Sequence, residues 1–150
     1  MPTIMRWPNK IISGKVSNEL IISTDILPTV LEAINISRDV QVEGVSLWKH
    51  ITASQPVDRE VFYWHYPHYH RTKPGSVIRD GNFKFIYYYE DERTELYNLE
   101  TDPREKNDLA EKLPEKTKEL KIRLDSWLDQ NQADFPKPNK NYKNPKFSDK

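Results

Sequence analysis

The sequence of 150 residues contains no cysteine. Disulfide bonds, thiolate nucleophiles and zinc sites built from thiolates are therefore excluded, although this absence leaves the cellular compartment open. No apolar run approaches the ~20 residues that a membrane-spanning helix needs, so we predict no membrane span. Net charge is also lacking, because 23 basic and 23 acidic residues cancel. The overall charge thus favours neither a nucleic acid nor an anionic lipid surface as partner, and an anionic ligand would need local positive groups.

In place of these features the chain has many aromatic residues. It contains 8 Tyr, 5 Phe and 4 Trp, and each of these side chains can bury a large area. Hydrophobic residues make up 36% of the chain and charged residues 31%, yet the apolar residues are grouped in periodic runs. The length fits one ordinary domain of about 100–200 residues. We therefore predict an ordered core in the middle of the chain.

The first third of the chain predicts one strand and one helix. The apolar run Thr3–Trp7 stops at a proline, which is typical of a buried strand. A helix is predicted from Asp25, as N-cap, to Ile36, with a proline in the first turn. Its apolar residues follow helical spacing and should form one buried stripe: Leu27, Val30, Leu31 and Ile34. Residues 37–58 show no sustained period and are interpreted as a connector.

From residue 59 onwards the pattern changes to short strands, which favour one antiparallel sheet. The candidate strands are Val61–Tyr66, Ser76–Arg79, Asn82–Glu90 and Thr94–Leu99. The pair Asp80–Gly81 is expected to close a two-residue hairpin. A last helix should begin at Leu113–Pro114 and cover the sheet with one stripe: Leu113, Leu120, Leu124, Trp127, Leu128 and Asn131.

The segment Glu95–Leu109, Glu-Leu-Tyr-Asn-Leu-Glu-Thr-Asp-Pro-Arg-Glu-Lys-Asn-Asp-Leu, resembles the signature near the C-terminus of sulfatases of the alkaline-phosphatase superfamily. Four further segments resemble sulfatase motifs in the order of that family. They are Met5–Ile11, with Asn9 for the usual Gly; Ser23–Leu31, with its Asp-x-x-Pro-Thr helix start; Glu43–Leu47, with Glu43 for Asp; and Val61–His70. Because five segments keep one order, the sequence resembles the C-terminal portion of a sulfatase.

The resemblance implies that an intact protein carrying this chain hydrolyses sulfate esters, with sulfated carbohydrate as substrate. In that family a formylglycine, made in a Cys/Ser-x-Pro-x-Arg motif, attacks sulfur, and a calcium ion polarises the sulfate. The sequence contains no such motif, and the family's calcium ligands precede the segment resembled by Met5–Ile11. The Asp102–Glu105 stretch reads as a turn with capping groups. No catalytic residue, metal site or cofactor is therefore assigned to this chain, and we expect it to be inactive alone.

The expected fold class is α+β: about four antiparallel strands packed by a C-terminal helix, preceded by a strand and a helix from the end of an α/β sulfatase domain. Residues 1–58 would be the terminal strand, helix and connector of that catalytic domain, 59–134 a C-terminal subdomain, and 135–150 a Pro/Lys-rich tail. The rest of the catalytic domain is then the expected partner. Without it, the unpaired strand at Thr3–Trp7 should cause self-association.

Localisation is left open by the residues themselves. Met1–Thr3 lacks the charged and apolar regions of a signal peptide, but a signal peptide would lie upstream if the chain is a C-terminal piece. The resemblance implies a periplasmic or secreted enzyme.

Three of the four histidines crowd into one short segment, and three interpretations compete. A metal site would need converging rings and, for structural zinc, usually about four ligands, so no metal is assigned. The histidines could also be ordinary polar members of an aromatic strand and loop. We favour glycan contact, because imidazole donors, a guanidinium and aromatic rings suit sulfate oxygens, hydroxyls and sugar faces. The predicted substrate-binding residues are His65, Tyr66, His68, His70 and Arg71.

A rival interpretation is a non-enzymatic carbohydrate-binding or interaction module with its own aromatic surface. The two interpretations differ over Thr3–Trp7, because a self-sufficient module has no need of an orphan strand at its start.

Overall fold

The computed structural model describes residues 3–36, 42–59, 61–69 and 72–137. They belong to two compact units, one ending at Arg59 and the other beginning at residue 60. In chain order the elements are a short 3₁₀ turn (Ser23–Asp25), α1 (Ile26–Ala33), α2 (Trp48–Ala53), β1 (Val61–Tyr66), β2 (Gly75–Asp80), β3 (Phe83–Tyr88), β4 (Thr94–Asn98) and α3 (Pro114–Gln130).

The first unit is helical where it is regular. The predicted helix after Asp25 is confirmed, since the 3₁₀ turn runs directly into α1. The interpretation of residues 37–58 as a connector is wrong for Trp48–Ala53, which form α2. A helix of six residues is too short to show the recurrence on which a periodicity argument depends. It ends at Ala53, and the φ of +56° at the following residue, Ser54, is incompatible with a right-handed helix.

Residues 3–7 do not form the predicted strand. No strand occurs among the described residues of the first unit, 3–36 and 42–59, and Ile4 is 95% exposed. A strand exists through its ladder of hydrogen bonds, and without a neighbouring strand the apolar run stays irregular. Self-association stays a prediction, but an unpaired strand edge no longer explains it.

The prediction that the apolar stripe of α1 is buried also needs correction. Leu27, Val30 and Ile34 are each about half exposed, whereas Asp25 and Thr29 are buried, at 0% and 5% exposure. Helical spacing identifies the side chains that need cover, but it does not show that the same chain supplies it. The side of α1 that faces the interior of this unit thus carries the polar residues Asp25 and Thr29, while apolar side chains of the same segment are exposed to solvent.

The second unit is a four-stranded sheet in the order β1-β2-β3-β4, with every neighbouring pair antiparallel. The α+β prediction for this part is confirmed. The hairpin lies one residue further on than predicted, because Asp80 pairs with Phe83 and leaves Gly81–Asn82 as the loop. Gly81 has a φ of +55°, which glycine adopts without the steric cost of a Cβ.

The core of the second unit lies between one face of the sheet and α3. Its fully buried members come from both layers: Ile78, Phe85, Leu96, Leu120, Leu124 and Leu128. Each contributes about 1.5–3 kcal/mol relative to exposure. Tyr63 of β1 stacks on Trp127 of α3, with ring centroids 4.8 Å apart and planes 4° from parallel. The predicted helix stripe is therefore confirmed in its central part, while Leu113 at the start remains partly exposed.

Candidate functional site

The carboxylate of Asp25 is the main polar anchor of the first unit. Arg59 donates to both oxygens, with Nη1–Oδ1 and Nη2–Oδ2 distances of 2.6 and 2.7 Å. The backbone N–H groups of Val45 and Ile22 donate to Oδ1 and Oδ2 at 3.0 and 2.9 Å. Burial by itself raises the pKa of Asp25, but these hydrogen bonds and the guanidinium charge outweigh it and hold the pKa below 3.8. With four donors already in place, Asp25 is a structural group and not a free base or metal ligand.

Asp25 therefore does not cap α1 with its side chain, as a simple N-cap interpretation would have it. The second polar residue of the same motif, Thr29, donates from Oγ1 to the carbonyl of Asp25 at 2.6 Å and accepts from the N–H of Leu47 at 2.8 Å. A Cβ added at Gly44 would lie 2.1 Å from the carbonyl oxygen of Thr24. The segments Ser23–Leu31 and Glu43–Leu47 are thus held together by the residues that make them recognisable.

The sulfatase-like signature Glu95–Leu109 is also built for structure. Asp102 accepts at Oδ2 from the N–H groups of Lys106 and Asn107, at 2.8 and 2.7 Å. Asp108 accepts at Oδ1 from the N–H groups of Leu96 and Ala110, both at 2.9 Å. The predicted turn and capping role is confirmed. Because β4 is an edge strand, the N–H of Leu96 has no neighbouring strand to accept its hydrogen bond, and the carboxylate of Asp108 accepts it instead.

His65 is the predicted ligand residue that the structure defines best. Its Nε2 lies 2.9 Å from the backbone carbonyl of Asp134, and its Nδ1 lies 2.9 and 2.8 Å from the hydroxyls of Ser76 and Tyr89. Because a carbonyl can only accept, we assign the proton to Nε2 and an accepting lone pair to Nδ1. The ring also packs edge-on against Tyr89 and Phe135, at centroid distances of 5.7 and 5.8 Å. Both ring nitrogens are therefore hydrogen-bonded within the chain.

Tyr66 and His68 lie at the end of β1 and face solvent. Tyr66 is 48% exposed, and its ring meets that of His68 edge-to-face at 5.7 Å. His70 and Arg71 lie outside the described residues. The structure thus brings two predicted contact residues together and turns His65 to the opposite face of the strand, because side chains alternate along β1. Within 3–36, 42–59, 61–69 and 72–137, no group of three or more potential metal ligands comes together.

Ser76 and Tyr89 were not predicted as partners of His65. Ser76 is fully buried directly opposite His65 in the pairing of β1 with β2. Tyr89 follows β3 and extends its ring to the same point, where its hydroxyl also bonds Ser76. Burial raises the pKa of the Tyr89 hydroxyl. The pairing register of β1 with β2 would have predicted that Ser76 lies beside His65. No signal in the sequence predicts the contact with Asp134, which is 69 residues away from His65.

A second polar cluster lies in the first unit beside a cavity of about 390 Å³. His50 is bonded at both nitrogens, by Nε2 to the Ser17 hydroxyl at 2.8 Å and by Nδ1 to the Gln55 carbonyl at 2.7 Å. Lys15 donates to the carbonyls of His50 and Ile51 at 2.7 and 3.0 Å. Lys15 therefore satisfies carbonyls at the C-terminal end of α2, where a positive charge is favourable.

Comparison with known proteins identifies the family. Residues 1–134 match the family described as "N-sulphoglucosamine sulphohydrolase, C-terminal". The chain belongs to this family. In the part of the chain that the structure describes, no helix has the length and apolar character to cross a membrane.

The relatives are sulfatases, including glycan sulfatases. The chain is 34% identical over 130 residues to the N-acetylglucosamine-6-O-sulfatase of Bacteroides thetaiotaomicron, covering 80% of this chain and 23% of the relative. It is 32% identical over 152 residues to a sulfatase of Formosa agariphila, covering 89% and 28%. The solved structure of BT4656 in complex with its substrate D-glucosamine-2-N,6-O-disulfate matches with a TM-score of 0.60 and 30% identity, over 75% of this chain and 24% of that one. The chain thus spans about a quarter of these proteins.

Proposed function

We propose that this chain is part of an enzyme that hydrolyses sulfate esters of sulfated carbohydrates. The observation that carries the proposal is the family match over residues 1–134, together with the interlocked motifs around Asp25, which give the matched residues a structural role in this chain. The names of the relatives support a glycan as the substrate class. A sulfated sugar offers anionic oxygens, hydroxyls and apolar ring faces, and the end of β1 offers an imidazole and aromatic rings to receive them.

We assign substrate contact at this end of β1 to Tyr66, His68, His70 and Arg71. His65 has the supporting role, because both of its ring nitrogens are already bonded. A side chain held in this way can orient the strand end that carries Tyr66. Catalysis would be supplied by other parts of the intact protein.

The family's calcium ion and formylglycine do not fit this chain. The sequence lacks the motif from which formylglycine is made. The buried carboxylate of Asp25, which could otherwise attract a cation, already accepts four hydrogen bonds. We therefore derive no catalytic step from these residues and expect the chain alone to be inactive. A periplasmic or secreted location of the intact enzyme is part of the same proposal.

We propose that the first unit packs against the rest of a catalytic domain. The exposed stripe of α1 adjoins a groove of about 250 Å³ lined mainly by apolar side chains, among them Trp7, Val30 and Trp48. Trp7 and Trp48 pack at a centroid distance of 5.5 Å. Apolar surface of this kind on a structured unit is typical of a contact area. The relatives are about four times longer than the matched segment, which makes further chain of the same protein the occupant we propose.

The test compares the isolated chain with the longest protein that its gene encodes. Both are assayed for sulfate release from a sulfated oligosaccharide and from a small aryl sulfate. We expect turnover by the longer protein and none by the chain, because a nucleophile is needed for sulfur attack. Turnover by the purified chain, retained after removal of contaminating sulfatase, would contradict the assignment of catalysis to other residues. A longer protein inactive on every sulfate ester would contradict the proposed function.

A non-enzymatic carbohydrate-binding module remains the second candidate, and one observation favours it. Trp64 and Tyr66 lie on the same face of β1, and both are partly exposed, so they could stack on successive sugar rings. This candidate predicts equal affinity for sulfated and unsulfated glycans and an inactive longer protein.

A further inference from the structure

The chain contains a single Asp–Gly pair, Asp80–Gly81, and no Asn–Gly pair. An aspartyl side chain followed by glycine is open to attack by the next backbone nitrogen, because glycine has no Cβ to hinder the approach. The attack closes a five-membered succinimide ring. When water reopens this ring at the main-chain carbonyl, the chain continues through the former side chain as an isoaspartyl residue. Asp80–Gly81 is therefore the dipeptide of this sequence most open to the rearrangement.

Asp80–Gly81 lies where β2 turns into β3. Asp80 is the last residue of β2 and pairs with Phe83, so Gly81 begins the two-residue loop. Gly81 has a φ of +55°, and no atom of a residue beyond its chain neighbours lies within 4 Å of the position that a Cβ would take. Among the residues that the structure describes, none accepts a hydrogen bond from the N–H of Gly81. The attacking nitrogen is thus sterically open and has no competing partner.

The carboxylate of Asp80 is held by two cationic side chains of α3. Arg123 donates from Nη1 to Oδ2 at 2.6 Å, and Nζ of Lys116 lies 3.5 Å from the same oxygen. The Asp80 side chain is only 20% exposed, and hydrogen bonds between ionised groups are the strong ones. Ring closure moves Cγ of Asp80 onto the backbone nitrogen of Gly81, and this movement breaks the contacts with α3. The docked helix therefore opposes the reaction that the dipeptide favours.

We propose that Asp80–Gly81 is a modification site at which an isoaspartyl residue forms, and that Arg123 and Lys116 slow its formation. In the first step the nitrogen of Gly81 attacks Cγ of Asp80. A C–N bond forms and a C–O bond breaks, and the oxygen leaves as water with the amide proton and one proton from solvent. In the second step water adds to the main-chain carbonyl of Asp80, the C–N bond at that carbonyl breaks, and one proton is released. Water is the only co-reactant, and the mass of the chain is unchanged.

The product differs from the original hairpin in its main chain. An isoaspartyl link adds one methylene group between two paired strands, so the pairing of Asp80 with Phe83 can no longer be kept. The free carboxyl group is then attached directly to Cα and is too short to keep its contact with Arg123. The second unit should consequently unfold at a lower denaturant concentration after the reaction. The reaction involves no sulfate ester and is independent of the proposed function.

The test incubates the 150-residue chain at neutral pH and physiological temperature for several weeks. Isoaspartyl groups are counted by enzymatic transfer of a labelled methyl group from S-adenosylmethionine to the free carboxyl, and they are located by peptide mapping. We expect the label at Asp80. Arg123→Gln should raise the rate about two- to fivefold, which corresponds to the loss of one ion pair at the surface. Lys116→Gln should have a smaller effect, since its ammonium group lies farther from the carboxylate.

Arg93→Gln is the matched control, because it removes an arginine that pairs with a different carboxylate, that of Glu95. It should leave the rate at Asp80 unchanged. Arg123→Lys keeps the positive charge and should retain most of the protection. In concentrated urea all variants should react at the same rate, because the ion pairs with Asp80 require a folded α3.

Label that appears elsewhere but not at Asp80 would overturn the modification site. Equal rates for Arg123→Gln and Arg93→Gln in the folded chain would overturn the protective role of α3, as would a faster reaction of Arg123→Gln that persists in urea. Circular dichroism shows whether α3 remains helical in each variant. If Arg123→Gln loses the helix, the comparison of Lys116→Gln with Arg93→Gln decides: a faster reaction of Lys116→Gln supports the protective role, and equal rates overturn it.

Discussion

The two units of this chain differ in the kind of side chain that they bury. The second unit closes a core between its sheet and α3, in which Phe85 and Leu124 are fully buried. The first unit buries Asp25 and Thr29, while Val30 on the same helix stays 49% exposed. The difference indicates that the second unit covers its own apolar side chains, whereas the first is held largely by hydrogen bonds and leaves apolar surface exposed.

The largest effect is expected from breaking the polar anchor of the first unit. Asp25→Asn removes the charge that pairs with Arg59 and should cost about 3–5 kcal/mol of stability. The loss is followed in chemical denaturation by the fluorescence of Trp7 and Trp48, in a background in which Trp64 and Trp127 of the second unit are replaced by Phe. Asp58→Asn, at an exposed neighbouring position, should cost less than about 0.5 kcal/mol. Similar stabilities for the two variants would show that the anchor is not what holds this unit.

The apolar core should respond next. Leu124→Ala is expected to destabilise the second unit by about 2–5 kcal/mol through lost burial and the cavity that remains. Ile122→Ala lies on the same helix but on its exposed side, and should cost less than about 0.5 kcal/mol. Denaturation followed by circular dichroism, to which α3 contributes 17 helical residues, measures both variants. If the fluorescence of the first unit changed as much as the α3 signal, the division into two separately stabilised units would be wrong.

The units should also differ in their response to pH. The pKa of Asp25 is lowered in the folded chain, so the unfolded state binds more protons at acidic pH. The stability it contributes is present above its unfolded pKa of about 3.9 and is lost as pH falls through the lowered folded value. Acidic pH should therefore destabilise the first unit, and Asp25→Asn should remove this dependence of its stability on pH. An acid transition unchanged by Asp25→Asn would refute this assignment.

In the second unit, burial, with Glu95 nearby, raises the pKa of Tyr97 to about 12. The stability from the neutral phenol is present below its unfolded pKa of about 10 and is lost as pH rises through the folded value. Alkaline pH should therefore destabilise the second unit. Tyr97→Phe, compared with the unchanged chain between these two pH values, should lessen the loss. No difference between them would assign the alkaline transition to other groups.

The smallest stability effect is expected on the exposed face of α1. Val30→Gln should change the stability of the isolated chain by less than about 0.5 kcal/mol, while lowering any self-association seen by light scattering. In the longer protein the same substitution should be clearly destabilising, because the side chain would then be buried. Equal effects in both proteins would mean that no further chain covers this face. Ile122→Gln provides the control at an exposed apolar position of the second unit.

Much of the second unit follows from local patterns. Alternation along Val61–Tyr66 and Phe83–Tyr88 and the helical spacing of Leu120, Leu124 and Leu128 each predict an element and the face it buries. The two-residue loop between β2 and β3 and the short connection between β3 and β4 then leave little freedom in the order of these three strands. The carboxylates of the signature segment could likewise be interpreted as turn and capping groups, because their partners lie within about a dozen residues along the chain.

The first unit was less predictable because its elements depend on distant groups. Thr3–Trp7 has the composition of a strand, but a strand needs a neighbour, and none is present in the described part of this unit. Asp25 was expected to cap α1, yet its carboxylate bonds Arg59, which lies 34 residues away. At the candidate site, proximity on β1 suggested that His65 and Tyr66 act alike. The structure bonds His65 to the carbonyl of Asp134 and leaves Tyr66 about half exposed, while the substrate contact of both residues stays a prediction.

The sequence by itself determined the type of most elements, the buried side of α3 and the family resemblance, because each of these depends on residue type at short spacing. Tertiary structure decided which polar side chains became structural and which apolar ones stayed exposed. The physical reason is that a donor is satisfied, and an apolar surface covered, only by groups brought close in space. For His65 those groups come from β2, from the residue after β3 and from the chain that follows α3.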